Sequence, residues 1–293
     1  MLLLESVPNV SEGRDRATLA AIGEAFASGA HVLDVHTDAD HHRSVFTLVA
    51  EDGALADALV AGIARAAELI DLRAHDGIHP RVGAADVVPI VPLAAGDMPR
   101  AVEVARAVGR RVGEELGLPV FLYAESGGGR RPAFFRRGGP GELQRRVDAG
   151  ELQPDFGPDR LHPTAGAVLV GARPLLVAFN VELEGGSLED ARAIATAIRG
   201  SSGGMDGVQA LGLQLPRTGR IQVSLNIVDV ERASIGSVVA RIRTEAARLG
   251  ATVGRGELVG LLPECAVADP EALALEALPD DRILERRLRT LDR

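Results

Sequence analysis

The chain contains no lysine, so all 32 basic residues are arginines. This excludes a Schiff-base lysine, a pyridoxal-phosphate lysine and a lysine-bearing phosphate loop. Any carboxylate bound through charge must therefore meet arginine, histidine or backbone N–H groups. A single cysteine, Cys265, excludes an internal disulfide framework and fits a reducing, cytoplasmic setting. It could equally be a small buried hydrophobe. Long apolar runs are also missing. The start, MLLLESVPNV, has three leucines cut short by Glu5 and no preceding basic residue, so it is not expected to be a secretory signal. No stretch approaches the ~18 uninterrupted apolar residues of a membrane span. The richest, around residues 165–183, is broken by Arg173, Pro174 and Asn180. The net charge is −9 with no basic cluster, so neither nucleic acid nor membrane is an expected partner.

What is present suffices for a core: 46% of 293 residues are hydrophobic, enough for one large domain or two small ones. The pattern predicts a strand over residues 2–7, a helix over 14–28 ended by Gly29, strands over 31–35 and 44–51, and a helix over 54–70. A buried strand over 84–92, an amphipathic helix over 98–116 and a strand over 119–124 follow. The second half repeats the order: strand 174–183, helix 188–198, strands 208–215 and 220–228 around a turn, helix 235–249, strand 257–262. A charged, leucine-rich tail over 270–293 reads as a surface helix. The fold class is α/β (α+β): two ferredoxin-like βαββαβ subdomains, 1–173 and 174–293, with a ligand groove expected between them. Residues 125–166, rich in Gly, Pro and Arg, read as a long loop of functional character.

Three clusters could carry chemistry. In His75-Asp76-Gly77-Ile78-His79-Pro80-Arg81-Val82-Gly83, Pro80 pushes His79 out of the helical region. The two histidines therefore do not form a helical metal pair, and His79 sits on a loop suited to proton transfer or merely to capping a turn. The run from Asp34 to Arg43, with three aspartates and three histidines, is either a metal site or a polar hairpin turn. Residues 154–166 hold three prolines and two glycines, an irregular backbone whose N–H groups could face a ligand. The glycine stretches 126–129 and 201–204 match no phosphate fingerprint. Arg130, Arg131, Arg136 and Arg137 could line an anionic groove or simply a solvated face.

Together these strings resemble the formiminotransferase family. Residues 5–14, ESVPNVSEGR, resemble its opening "ECVPNFSEGR", and residues 69–71 with 75–84 resemble "LID…HxGEHPRMGALDV". Residues 119–123 resemble "PVYLY", and residues 154–158 reproduce "PDFGP". GARPLLVAFN, residues 171–180, is similar to "GARKFLIAFN". Gln222-Val223-Ser224 with Asn226 resembles "QVSTNL", and residues 258–263 resemble "LVGLVP". Departures stand at Ser6 for a cysteine, His36 for an aspartate, His42 for the asparagine of "NR", Ala165 for a tryptophan, and residues 139–142 for "GEYE".

The resemblance implies formimidoyl transfer from N-formimidoyl-L-glutamate to tetrahydrofolate in histidine breakdown, without an accompanying cyclodeaminase domain. It implies His79 as general acid/base, and a folate-contacting segment of Gly157, Pro158, Asp159, Arg160, Leu161, His162, Pro163, Thr164, Ala165 and Gly166. It also implies tetrahydrofolate as co-substrate, no metal, and a homodimer. Arg43 and Arg81 are the candidates for the glutamate carboxylates, because arginine binds them bidentately. Asn9 would bond substrate or shape its loop. The rival readings are a metal-dependent amide or amidine hydrolase built on residues 34–42, and a non-catalytic folate-binding protein.

Overall fold

The computed structural model describes residues 3–268 and 270–291. Its contacts divide the chain into two compact units between Pro174 and Leu175.

In the first unit, Pro8 cannot donate to a ladder, so the opening strand is broken into β1 (Leu4–Ser6) and β2 (Asn9–Val10). Helix α1 (Arg16–Ala27) follows, its start fixed by the Asp15 carboxylate accepting the Ala17 N–H at 2.9 Å. Strands β3 (His31–Asp38) and β4 (Arg43–Ala50) form an antiparallel pair. Helix α2 (Asp52–Leu69) and strand β5 (Ala85–Pro92) complete the βαββαβ order. Both β1 and β2 lie between β4 and β5, antiparallel to each.

The sheet continues beyond that order. Helix α3 (Met98–Glu115) buries Ala101, Val104, Ala105, Val108 and Val112. Strand β6 (Val120–Ala124), helices α4 (Pro132–Arg136) and α5 (Gly139–Asp148), and strand β7 (Val168–Ala172) follow. Strand β7 is parallel to both β5 and β6. The sequence pattern is corrected here in two places. The long loop expected over 125–166 contains α4 and α5, and β7 lies outside every strand that the pattern predicts. Helix α5 is weakly apolar, burying Leu143 and Val147, so its period is hard to see behind Gly139-Pro140-Gly141.

The second unit contains β8 (Val177–Glu184), α6 (Leu188–Ile198), β9 (Val208–Gln214), β10 (Ile221–Ile227), α7 (Ile235–Arg248) and β11 (Thr252–Val259). Its sheet order is β11-β8-β10-β9, antiparallel throughout. Ser187 and Asp190 form a reciprocal cap that starts α6. The continuous tail helix expected over 270–293 is not found. The described residues there form turns, a single 3-10 turn at 280–282 and the short α8 (Leu284–Leu288). Pro279 interrupts the run, while Leu273, Ile283 and Leu284 are buried. Residues 292 and 293 lie outside the described part. No helix among the described residues is long and apolar enough to cross a membrane.

Candidate active site

The turn that links residue 70 to β5 carries the first chemical group. Pro80 holds His79 in non-helical backbone, and the ring is partly buried. His79 Nδ1 lies 2.8 Å from the Pro80 carbonyl oxygen. A carbonyl only accepts, so Nδ1 carries the proton and Nε2 presents the lone pair. Burial, then the charges of Arg43 and Arg136, push this imidazole well below its ordinary pKa; Asp86 opposes them. The ring is therefore neutral at neutral pH and fit to accept a proton. A base acts only unprotonated, so a reaction that used this ring as its base would fall off in acid as the ring gains a proton. The acid limb of kcat/KM should lie well below the ordinary histidine value near 6.5. A limb centred at or above that value would contradict this environment.

Beneath His79 sits Asp86 on β5, with its side chain fully buried. Its Oδ1 accepts the Val82 N–H at 2.7 Å, tying the turn to the strand. Its Oδ2 accepts from Arg43 Nη1 at 2.8 Å and Arg136 Nη2 at 2.6 Å. Burial alone would raise its pKa, but Arg136 and Arg43 outweigh that and hold the carboxyl well below the usual range. Asn9 completes the group. Its Oδ1 accepts from Arg43 Nε at 2.9 Å and its Nδ2 donates to the Val7 carbonyl at 2.8 Å. Asn9 thus shapes the break at Pro8 and aims Arg43. Burial, then Arg136, pulls Arg43 down to about 10, which still leaves it charged at neutral pH.

Arg81, expected to hold a substrate carboxylate, is committed elsewhere. Its Nε and Nη2 donate to the His79 carbonyl at 3.1 and 2.9 Å, and Nη2 also donates to the His41 carbonyl at 2.7 Å. Its Nη1 donates to the His42 carbonyl at 2.9 Å and faces His75 Nε2 at 2.7 Å. All three nitrogens are thus engaged by the protein, and Arg81 laces the 41–42 turn to the His79 turn. Gly77 permits this lacing, because a Cβ there would collide with Arg81 Nη2 and the His41 carbonyl. His75 lies in the same knot. Burial first and Arg81 second lower it to about 4, so it is neutral at neutral pH.

Of the Asp34 to His42 cluster, Asp34, His36 and Asp38 lie on β3 and residues 39–42 form the polar turn into β4. Asp38 accepts the N–H groups of Asp40 and His41 at 2.8 and 2.7 Å, and His42 Nδ1 accepts the Gly13 N–H at 3.1 Å. Among the described residues no group of three His, Cys, Asp or Glu is placed to hold a metal.

The segment 157–166 is stitched to the His79 turn. The Ala84 N–H donates to the Ala165 carbonyl at 2.8 Å, the Ala167 N–H donates to the Val82 carbonyl at 2.9 Å, and Gly83 bridges Gly166. The segment borders a cavity of about 550 Å³ in the first unit. Arg160, Leu161, His162, Pro163, Thr164 and Gly166 line it, opposite Leu72, Arg73 and Gln144. His162 Nδ1 accepts the Ala165 N–H at 3.0 Å and so shapes the wall. Of the other four residues in the segment, Gly157, Pro158 and Asp159 are exposed ahead of the cavity, and Ala165 is buried in the core.

Residues 3–173 match the formiminotransferase domain, N-terminal subdomain, and residues 178–276 match the formiminotransferase domain. The chain belongs to the formiminotransferase family. This formiminotransferase-family chain is 42% identical to a glutamate formimidoyltransferase of Thermoplasma acidophilum over 98% of both chains. It is 38% identical to that of Streptococcus pyogenes serotype M1, again over 98% of both. A formimidoyltransferase-cyclodeaminase of Rattus norvegicus is 36% identical over 92% of this chain, which spans 52% of that protein.

Within this formiminotransferase chain, one departure from the family string has a backbone explanation. His42, standing for an asparagine, has φ 47°, the left-handed region that asparagine and histidine tolerate better than most residues. His42→Asn should leave the thermal midpoint near its starting value. His42→Val should cost roughly 1–2 kcal/mol in chemical denaturation. Equal midpoints for the two variants would contradict the claim. Asp86 is inconspicuous in the sequence, one acid inside the apolar run AADVVPIVP. The available signal was that a fully buried carboxylate needs a partner. Arg136 is one of four arginines that local sequence does not tell apart, and only the fold separates it from exposed Arg130, Arg131 and Arg137.

Proposed function

We propose that this chain transfers the formimidoyl group of N-formimidoyl-L-glutamate to tetrahydrofolate, giving 5-formimidoyltetrahydrofolate and L-glutamate in histidine degradation. The observation that carries this reading is the end-to-end match to proteins named glutamate formimidoyltransferase. Each unit is read as a ferredoxin-like subdomain, 1–173 and 174–293. The fourth-first-third-second, fully antiparallel order of the second sheet supports this, and β5-β1/β2-β4-β3 follows the same order in the first.

The chemistry follows from a neutral imidazole within electrostatic reach of Arg43 and Arg136. The folate N5 attacks the formimidoyl carbon and forms a tetrahedral intermediate. His79 Nε2 takes the N5 proton, then returns a proton to the glutamate nitrogen as its bond to the carbon breaks. Donor and acceptor exchange one N–H for one C–N bond, so no oxidant or other reactant enters. Proton transfer of this kind supplies ~10²–10⁴ in rate. Positioning the two reactants supplies roughly 7–11 kcal/mol more of the barrier. The cavity bordered by residues 160–166 is the proposed folate site, with Gly157, Pro158, Asp159 and Ala165 setting its frame. Its 550 Å³ and its backbone ties to residues 82–84 support that placement.

A spectroscopic assay with formimidoylglutamate and tetrahydrofolate, with each omitted in turn, tests the reading. Product should appear only when both are present. Breakdown of formimidoylglutamate without folate, lost on chelation, would replace it with a metal-dependent hydrolase. Folate binding without transfer would replace it with a binding protein.

A further inference from the structure

We propose that Arg136 grips a carboxylate of the amino-acid donor beside His79, a role that rests on the transferase reading above. Three guanidinium groups, those of Arg43, Arg81 and Arg136, lie within electrostatic reach of one another around one buried carboxylate, Asp86. Their protein partners differ sharply. Arg81 has all three nitrogens engaged, and Arg43 has two, Nε held by Asn9 and Nη1 by Asp86. Arg136 has one partner among the described residues, Asp86, reached through Nη2. Its Nε is buried with no acceptor, and its Nη1 has no protein partner among the described residues. A buried donor without an acceptor is costly unless a ligand supplies one.

The surrounding charge points to what that ligand is. Three buried or nearly buried cations share one buried anion, so this cluster is short of negative charge. Arg81 also feels Asp76, but that carboxylate is exposed and paired with Arg14. An N-substituted glutamate brings two carboxylates, and guanidinium is the group that binds them in fork geometry. The short helix α4 holds Arg136 firmly for this task. Arg146 donates to the Phe134 carbonyl at 2.8 Å and its guanidinium lies 4.3 Å over the Phe134 ring. Phe135 packs on Phe121 with ring centroids 5.4 Å apart. Arg136 also stands close enough to His79 for its charge to depress the imidazole. A carboxylate bound there would place the donor's nitrogen near the base and relieve part of that depression.

The test is calorimetric binding of L-glutamate to wild type, Arg136→Gln and Arg136→Lys, with KM measured for both reactants. Far-UV circular dichroism and thermal midpoints establish that each variant is folded. In Arg136→Gln the glutamate Kd and the KM for formimidoylglutamate should rise about 10- to 100-fold. The KM for tetrahydrofolate should move less than about three-fold. Arg136→Lys, which keeps charge and loses the fork, should fall between and serves as the judge if the glutamine variant unfolds. A glutamate Kd within about two-fold of wild type in a folded variant overturns the role of Arg136, as does an equal rise in both KM values. A wild-type chain that binds glutamate yet transfers nothing overturns the transferase reading instead, and the Kd ratio still decides Arg136.

Discussion

Replacing His79 by alanine is expected to lower kcat by about 10²–10⁴-fold while leaving the protein folded. The size of the effect follows from the loss of the one neutral imidazole proposed to move a proton between the two reactants. The fold survives because the ring's hydrogen bond is local, from Nδ1 to the carbonyl of the next residue. The tie that anchors the turn uses the His79 backbone carbonyl, which alanine retains, to receive Arg81. Single-turnover rates and thermal midpoints, measured side by side, separate chemistry from stability. Near-normal turnover in the alanine variant would remove His79 from the mechanism. Loss of turnover with a collapsed midpoint would show it to be a packing residue.

Asp86→Asn should give the largest stability loss of any single change near the site, about 3–5 kcal/mol. The asparagine keeps the volume and one acceptor for the Val82 N–H, but Arg43 and Arg136 are left as buried charges without a counter-ion. The expectation is a midpoint lower by roughly 6–20 °C, using about 2–4 °C per kcal/mol for a unit of this size. An exposed pair offers the contrast. Glu68→Gln breaks the Arg65–Glu68 bridge on the surface of α2 and should leave the midpoint unchanged, since such pairs are screened and entropically costly. If Asp86→Asn matched Glu68→Gln in stability, the buried triad would not be what secures the His79 turn to β5.

Much of the fold was legible because apolar period and stop signals agree. Helix α6 runs over 188–198 as its spacing predicts, and α3 over 98–115 against an expected 98–116. What escaped had a physical cause in each case. Strand β7 lies inside one apolar stretch that also holds β8, so the two merge unless Arg173-Pro174 is read as a break. The break of the first strand at Pro8 gives two- and three-residue pieces, too short for any period. The tail reads as helical by composition, but Ile283 and Leu284 are drawn into burial and the chain follows them rather than an axis. In the site, the motif carried attention to His79, Arg43, Arg81 and Asn9. Which arginine is tied down and which has donors to offer depends on hydrogen bonds between residues some forty apart in sequence, such as Arg81 to His41 and His42. Local pattern carries no record of those.

His79 rests as a neutral imidazole with its proton on Nδ1, held there by the Pro80 carbonyl. Nitrogen-15 NMR of histidine-labelled protein at pH 7 reads both properties from the ring shifts and their couplings. The expected result is a non-protonated Nε2 and a protonated Nδ1 for His79, unchanged as pH falls to about 6. An imidazolium at pH 7, or the proton resting on Nε2, would contradict it.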